Sequence, residues 1–214
     1  MSHSLLQTPL ALFALVATLV VASPAMAIEE APFKPIETDG KFELREYAPY
    51  AVAETYVEGD FEDVGNEGFR RLVRYISGEN RSAQSIAMTA PVEQANTGSQ
   101  SIAMTAPVEQ ARAGDRWRIA FVLPSNLTLA NAPQPNDERI AIKEMPPRLM
   151  ASVRYSGTWS QSRYEENLAA LRSYIAQKQW VATGEPVWAR YNPPLMPWFM
   201  RRNEILIPVQ RSGG

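Results

Sequence analysis

The chain has 214 residues, of which 45% are hydrophobic and 21% are charged, and these are ordinary values for one globular domain. Its formal net charge of −2 argues against the basic surface that binds nucleic acid or anionic lipid. The absence of cysteine excludes disulfide bonds, thiolate nucleophiles and thiolate metal ligands.

The first 27 residues have the features of a signal peptide. Leu10–Val21 is an apolar run, and residues 25–27 (Ala-Met-Ala) match a cleavage site, although the segment lacks the usual Lys or Arg. The apolar run is shorter than the about 20 residues that span a bilayer. The sequence therefore predicts cleavage after Ala27 and a single domain at 28–214, periplasmic or secreted, without stable membrane insertion. Cleavage also removes His3, the only histidine.

The body of the chain contains one unit twice. Lys41–Phe61 aligns with Arg139–Trp159 at a constant offset of 98 residues, without a gap. The two copies share a strand-like alternation, a turn proline, and a glycine followed by an aromatic residue, with Gly59 matching Gly157. This match predicts an internal duplication whose two copies superpose.

Each copy continues with an amphipathic helix, in which apolar residues recur at the i, i+3, i+4, i+7 spacing of one helix face. These residues are Phe69, Leu72, Val73 and Ile76 in the first copy, and Tyr164, Leu168, Leu171 and Ile175 in the second. Ser162 and Glu165 have the spacing of a capping box at the start of the second helix.

Two further strands are predicted after each helix. They lie near Ile86–Val92, Arg116–Leu123, Pro186–Tyr191 and Glu204–Val209. The repeats, about 41–123 and 139–209, predict an α+β fold in which one twisted antiparallel barrel or sheet carries both helices outside. Ile28–Asp39 has no clear periodicity and is predicted to be irregular.

A shorter repeat lies within the first copy. Gln84–Ala95 recurs unchanged as Gln100–Ala111, with a period of 16 residues, and the turn-forming residues 96–98 (Asn-Thr-Gly) lie between them. The repeat either lengthens a loop or hairpin, or places both copies around one site. The sequence leaves both interpretations open.

Three motifs together resemble the SOUL haem-binding protein family. They are residues 86–92 (Ile-Ala-Met-Thr-Ala-Pro-Val), residues 191–194 (Tyr-Asn-Pro-Pro) and residues 201–204 (Arg-Arg-Asn-Glu). The similarity extends from about Pro35 to Val209. It implies a distorted antiparallel β-barrel with two external helices and pseudo-twofold symmetry. It also implies that haem or another tetrapyrrole binds on an apolar surface beside the first helix.

The resemblance also assigns residues to that surface. They are Asn66, Phe69, Val73 and Arg74 from the helix, together with Tyr191 and Met196. Arg74 would orient a propionate, whereas Met196 stands where some relatives have a lysine. Without His3, the chain has no imidazole or thiolate to bind haem iron strongly, so Tyr191 or a methionine is at most a weak ligand. No metal site of the protein's own is expected.

Two other clusters near the carboxyl end have structural explanations. Arg201–Glu204 is expected to stabilise a turn through hydrogen bonds. Trp188, Trp198 and Phe199 form either part of the core or an apolar platform for a flat ring, and the sequence does not decide between them.

Enzyme classes fit this sequence poorly. Serine triads and most zinc sites need an imidazole or thiolate, and the chain has no P-loop and no G-x-G-x-x-G motif. A carboxylate-based enzyme remains as an alternative and would show two buried, facing carboxylates in an enclosed pocket. A protein-interaction module would instead show a flat apolar patch. We therefore predict a monomeric, non-catalytic carrier, buffer or scavenger of a tetrapyrrole.

The predicted cleavage can be tested by the intact mass of protein purified from its own host. The mass should equal that of residues 28–214, because the segment before them has the cleavage pattern of a signal peptide. A mass that includes residues 1–27 would contradict both the predicted location and the predicted absence of histidine.

Overall fold

The computed structural model describes residues 28–82, 98–193 and 195–212. The predicted signal peptide, the first copy of the short repeat and the strand expected near Ile86–Val92 lie outside these residues. Within them, no helix is both long enough and apolar enough to cross a membrane.

The described residues form twelve strands, two α-helices and one short 3-10 helix. The strands up to the middle of the chain are β1 (Phe33–Asp39), β2 (Phe42–Tyr47), β3 (Tyr50–Val57), β4 (Asn80–Arg81), β5 (Val108–Ala113) and β6 (Arg116–Val122). The later strands are β7 (Gln134–Pro135), β8 (Ile140–Met145), β9 (Arg148–Tyr155), β10 (Trp180–Ala182), β11 (Val187–Arg190) and β12 (Asn203–Arg211). The helices are α1 (Phe61–Ile76), α2 (Gln161–Gln177) and the 3-10 turn Trp198–Met200.

Ten of the described strands form one antiparallel sheet. Its order is β1-β2-β9-β12-β11-β5-β6-β3-β8, and β10 pairs with β12, while β4 and β7 form a separate ladder. The predicted α+β class is therefore confirmed. The closed barrel is not found among the described strands, because no ladder joins β1 to β8 at the two ends of the order.

The two copies of the predicted duplication occupy equivalent places in the sheet. If β2, β3, β5 and β6 are matched to β8, β9, β11 and β12, the order from β2 to β8 is the same from either end, with β11 and β5 at its centre. Gly59 and Gly157, which precede the two helices, have φ angles of 132° and 130°. The superposition of the two copies stays a prediction.

Helix α1 lies against the sheet closely enough to need a glycine. A Cβ at Gly68 would lie 2.4 Å from Cγ1 of Ile119 in β6, so the helix backbone itself contacts that side chain. Leu72 and Tyr75 continue this buried face, whereas Phe69 and Val73 are only half-buried at its edge. The face is rotated from the predicted one because glycine, which hydropathy patterns count as neutral, forms its centre.

Helix α2 covers the other half of the sheet. Leu171 and Ile175 are buried as predicted, and the Tyr174 ring stacks on Phe42 of β2 with centroids 4.4 Å apart. The predicted capping box is wrong. The helix begins at Gln161, so Ser162 already lies in its first turn, and the N-cap Ser160 makes no side-chain cap hydrogen bond.

The predicted irregularity of Ile28–Asp39 is also wrong over most of its length. Phe33–Asp39 forms β1 at the edge of the sheet and pairs with β2 through a register shift between Pro35 and Glu37. Most of its side chains are exposed. An exposed edge strand lacks the alternation of apolar and polar residues that predicts a half-buried strand. It is recognised as a strand by its pairing with β2 and not by its own sequence pattern.

The second copy of the short repeat is bound to the end of α1. The Nδ2 atom of Asn80 donates to the oxygens of Tyr75 (2.7 Å) and Gln100 (2.8 Å), and Asn80 Oδ1 accepts from the Gln100 backbone N–H at 2.9 Å. The Ser82 N–H donates to the Gly98 oxygen at 3.3 Å. Residues 98–100 therefore lie next to residues 80–82, although about one 16-residue period separates them along the chain.

Deleting Gln84–Ser99 should leave a folded protein, because Asn80 then binds the retained Gln100 across a short turn. A matched control is the deletion of Gln100–Asp115, which gives a chain of the same length. That chain differs only where Asn96, Thr97 and Ser99 take the places of Arg112, Ala113 and Asp115 in the β5–β6 turn. Circular dichroism should show both to be folded, and loss of structure in both would show that the two copies are not interchangeable.

Candidate functional site

A concave and mainly apolar pocket opens beside α1 and holds about 690 Å³ of space, part of which is open to solvent. Its described walls come from α1 (Gly65, Asn66, Phe69), from the chain leading into β5 (Met104, Thr105, Ala106, Val108), and from Ile28, Trp159, Arg190, Tyr191, Asn192 and Pro193.

The α1 wall presents one aromatic ring and one bare stretch of backbone. Phe69 is half-buried and contacts Phe121 of β6, with ring centroids 5.4 Å apart. One turn earlier, Gly65 is buried, and its bare backbone packs against the side chains of Arg190 and Gln110. The close packing at Gly68 determines this rotation of α1, which leaves Phe69 at the edge of the core and turns Gly65 towards the sheet.

The second wall is the second copy of the short repeat. Its Ile102 N–H donates to the Ile76 oxygen (2.8 Å), its Ala106 N–H donates to the Glu29 oxygen (2.9 Å), and the Thr105 hydroxyl donates to the Val122 oxygen. These contacts turn Met104 towards the pocket with 41% of its surface exposed. The second copy therefore lines the pocket, and the first copy lies outside the described residues.

Asn203, at the start of β12, positions the third wall. Its Oδ1 atom accepts from Trp159 Nε1 at 2.9 Å, and its Nδ2 atom donates to the Gly157 oxygen at 3.2 Å. The guanidinium of Arg201 lies over the Trp159 ring at 4.4 Å. The Arg-Arg-Asn-Glu motif thus stabilises the chain before α2 as well as its own turn, in agreement with the structural role expected of it.

Glu204 is fully buried and joins three elements. Its carboxylate accepts two hydrogen bonds from Arg45 (2.5 and 3.1 Å), one from the Tyr191 hydroxyl (2.9 Å) and one from Arg202 Nε (3.0 Å). Burial alone would raise the pKa of Glu204, but the hydrogen bonds and charge of Arg45 outweigh it and hold the pKa below its ordinary value. The ionised carboxylate therefore fixes Tyr191 at the edge of the pocket.

Arg190 is the last residue of β11 and lines the pocket next to Gly65 of α1. Its Nε and Nη2 atoms are out of contact with solvent and have no hydrogen-bond partner in the described part of the chain. The guanidinium lies 5.0 Å from the ring centroid of Trp188 and 5.4 Å from that of Trp159. Loss of hydration lowers the pKa of Arg190 to about 10, so it remains a cation at neutral pH.

Of the six residues assigned by resemblance, the structure brings Asn66, Phe69 and Tyr191 together in the pocket. The other three are not among its described lining residues. Val73 packs against the core beside α1. Arg74 is exposed and lies 3.6 Å from Glu79. The Met196 backbone N–H donates to the oxygen of Pro193, which is itself a lining residue.

The predicted aromatic cluster separates into two parts. Trp188 is 2% exposed and stacks on Phe61 at a centroid distance of 4.9 Å, so it belongs to the core. Trp198 and Phe199 are 56% and 60% exposed and contact each other edge to face. Spacing along the chain could not separate them, because only the sheet decides which ring is covered.

Sequence reasoning missed Arg190, Trp159 and Met104 as lining residues. Arg190 directly precedes the Tyr-Asn-Pro-Pro motif and Met104 lies inside the repeated motif, so proximity to motifs was the available signal. Among the residues described, no group of three or more His, Asp or Glu side chains could hold a metal ion.

Substituting Glu204→Gln should lower the free energy of unfolding by about 3–5 kcal/mol, because it removes the buried partner of Arg45 and leaves that cation with the partly exposed Glu43. The control is Glu43→Gln, whose partly exposed carboxylate bonds to Nε of the same arginine. Its effect should stay below about 1 kcal/mol. Urea denaturation at neutral pH measures both, and equal effects would contradict the role given to Glu204. The Glu204 contribution should be lost in acid, where the carboxylate becomes protonated.

Comparison with known proteins identifies the family of this chain. The model for "SOUL heme-binding protein" matches residues 28–208. Heme-binding protein 1 of Xenopus laevis is 29% identical over 171 residues, covering 79% of this chain and 84% of its own. Heme-binding protein 2 of Homo sapiens is 26% identical over 175 residues, covering 81% and 80%.

A solved structure shares the architecture at lower identity. The EcmrR C-terminal domain superposes with a TM-score of 0.53 and 12% identity, covering 79% of this chain and 97% of that one. At this identity the similarity concerns the fold alone. The family model, which spans most of the chain, shows that this protein belongs to the SOUL heme-binding protein family.

Proposed function

We propose that this protein binds haem or a related tetrapyrrole in the pocket beside α1. The observation that carries the proposal is the pocket itself, a concave apolar site that contains one cation without an ion-pair partner among the described residues. A tetrapyrrole has a flat apolar ring and acidic side chains, so it matches both features. Membership of the family, and the printed names of its relatives, support the same ligand.

The ring would be held by apolar burial. Phe69, Val108 and Ile28 line the pocket and offer apolar surface, while Asn66 offers a polar group at the edge. Burying about 330 Å² at about 25 cal/mol per Å² would yield about 8 kcal/mol, the standard free energy of a micromolar complex. Part of this gain is spent on the lost freedom of the ligand, so tighter binding needs further contacts.

The described lining residues include few side chains that could coordinate haem iron. Haem would bring a redox-active iron, whose strong protein ligands are imidazole and thiolate. The Tyr191 hydroxyl donates to Glu204, and burial raises its pKa well above the ordinary value, so a phenolate does not form there. Met104 is the thioether among the described lining residues. Affinity would therefore come from the ring and the carboxylates, with methionine as a weak ligand at most.

Binding without catalysis is part of the proposal. The buried carboxylates outside the pocket are neutralised, since Glu54 and Glu109 both bond to Arg118 and Glu204 bonds to Arg45. No carboxylate is among the residues described as lining the pocket, so the carboxylate-based enzyme gains no support. We further propose a monomeric carrier, buffer or scavenger acting in the periplasm or outside the cell, a location that rests on the predicted signal peptide.

Haem and metal-free porphyrin should bind to the purified chain with affinities within about tenfold of each other, because ring burial dominates. Phe69→Ala should weaken both by about tenfold or more, since it removes a wall of the pocket. Visible absorption titrations measure haem, and fluorescence titrations measure the porphyrin. Met104→Leu should leave both affinities and the haem spectrum nearly unchanged.

The matched control is Phe42→Ala, another half-buried aromatic residue, which packs on α2 instead of lining the pocket. It should lower stability without changing affinity. Haem binding at least about a hundredfold tighter than porphyrin would show that an iron ligand dominates. If neither ligand binds at micromolar concentration, the proposed function is wrong.

A further inference from the structure

Arg190 is half-buried and differs from the other arginines whose side-chain nitrogens are covered. Arg148, whose Nε also has no partner among the described residues, still donates to the Tyr50 hydroxyl at 2.6 Å. Arg45 and Arg118 each bond to two carboxylates, and Arg71 bonds to Glu67 and Thr55. For Arg190, the described residues supply two aromatic rings and no acceptor for Nε or Nη2. A buried charge is costly when it is unpaired, so a fold that retains one has a use for it or a partner to be supplied.

The guanidinium of Arg190 packs directly against the bare backbone of α1 at Gly65. A Cβ at that position would lie 3.0 Å from Arg190 Nη2 and 3.0 Å from Gln110 Oε1. Gln110 is buried and donates through Nε2 to the Phe61 oxygen at 2.8 Å, which leaves Oε1 without a donor among the described residues. Unsatisfied polar atoms from two strands therefore converge on the bare part of α1, and one of the two residues, Arg190, also lines the pocket.

The position of Arg190 is well defined. Its backbone pairs with Val108 of β5 on one side and with Asn203 of β12 on the other. Its guanidinium packs beside Trp159, which Asn203 also positions. A cation on paired strands at the centre of a sheet loses little freedom when it binds a ligand, and the planar fork of arginine matches a carboxylate.

We propose that Arg190 binds a carboxylate of the ligand, so that the pocket selects flat apolar molecules with a free carboxylate and takes them up carboxylate first. This inference rests on the proposed function and narrows it to tetrapyrroles whose acidic side chains are not esterified or amidated. Arg74 is a poorer candidate for the same task. It is exposed to water, has Glu79 as a partner and is not among the described lining residues.

The test compares two metal-free probes of nearly equal shape. One is mesoporphyrin IX, whose propionic acids are free, and the other is the diamide of mesoporphyrin IX, whose side chains are uncharged. The protein should bind the diacid about tenfold or more tightly than the diamide, since only the diacid pairs with the buried cation. Arg190→Met should reduce this preference to below about threefold, because it weakens binding of the diacid more than binding of the diamide. Arg190→Lys should keep part of the preference, because it retains the charge but not the planar fork. Arg74→Ala should keep the full preference.

The outcomes separate the inference from the function on which it rests. If neither probe binds the unaltered chain, the proposed function fails. If both bind equally well, the function stands and Arg190 is satisfied otherwise, for example by buried water, so the inference is wrong. It is also wrong if Arg74→Ala alone abolishes the preference, or if Arg190→Met weakens both probes alike. The comparison on the unaltered chain needs no variant, so poor folding of one cannot leave the question open.

Discussion

Glu204 places a negative charge in the middle of the sheet, where Arg45, Arg202 and the Tyr191 hydroxyl all donate to it. The ion pair with Arg45 joins β12 to β2, two strands that β9 separates. The neighbouring Asn203 binds Trp159, so adjacent residues of one strand hold two walls of the pocket. A buried carboxylate is stable only with such a complete set of hydrogen-bond donors. The positions of both walls therefore depend on these hydrogen bonds.

The second constraint is the contact between α1 and β6. Because Gly68 lets the helix backbone rest on Ile119, the helix turns Phe69 towards the edge of the core and leaves Gly65 beside Arg190. Two glycines three residues apart thus have different consequences. One sets the distance between helix and sheet, and the other lets the side chains of Arg190 and Gln110 pack against the helix backbone.

The arginines that have carboxylate partners and Arg190 differ in their surroundings. Arg45 and Arg118 neutralise buried carboxylates and stabilise the sheet, whereas Arg190 lies against two aromatic rings and has no carboxylate partner among the described residues. A site that holds its ligand by ring burial and one ion pair, without a strong iron ligand, would release as well as bind. Such exchange suits a carrier or buffer better than an enzyme, whose cofactor stays in place.

Much of the fold could be predicted from local patterns. The α+β class, both helices and three of the four strands expected after them follow from spacings within about ten residues, and the motifs indicated the family. The position of β1, the start of α2 and the rotation of α1 could not be predicted, because each depends on a partner strand or on a glycine contact that hydropathy does not register.

The residues of the candidate site could also be predicted only in part. Asn66, Phe69 and Tyr191, which the resemblance assigned to the surface, line the pocket, but Arg190 was not predicted to, because its lack of a hydrogen-bond partner among the described residues is visible only in the structure. Whether a cation has a partner depends on residues about 80 positions away along the chain, and only the packed sheet brings those residues together.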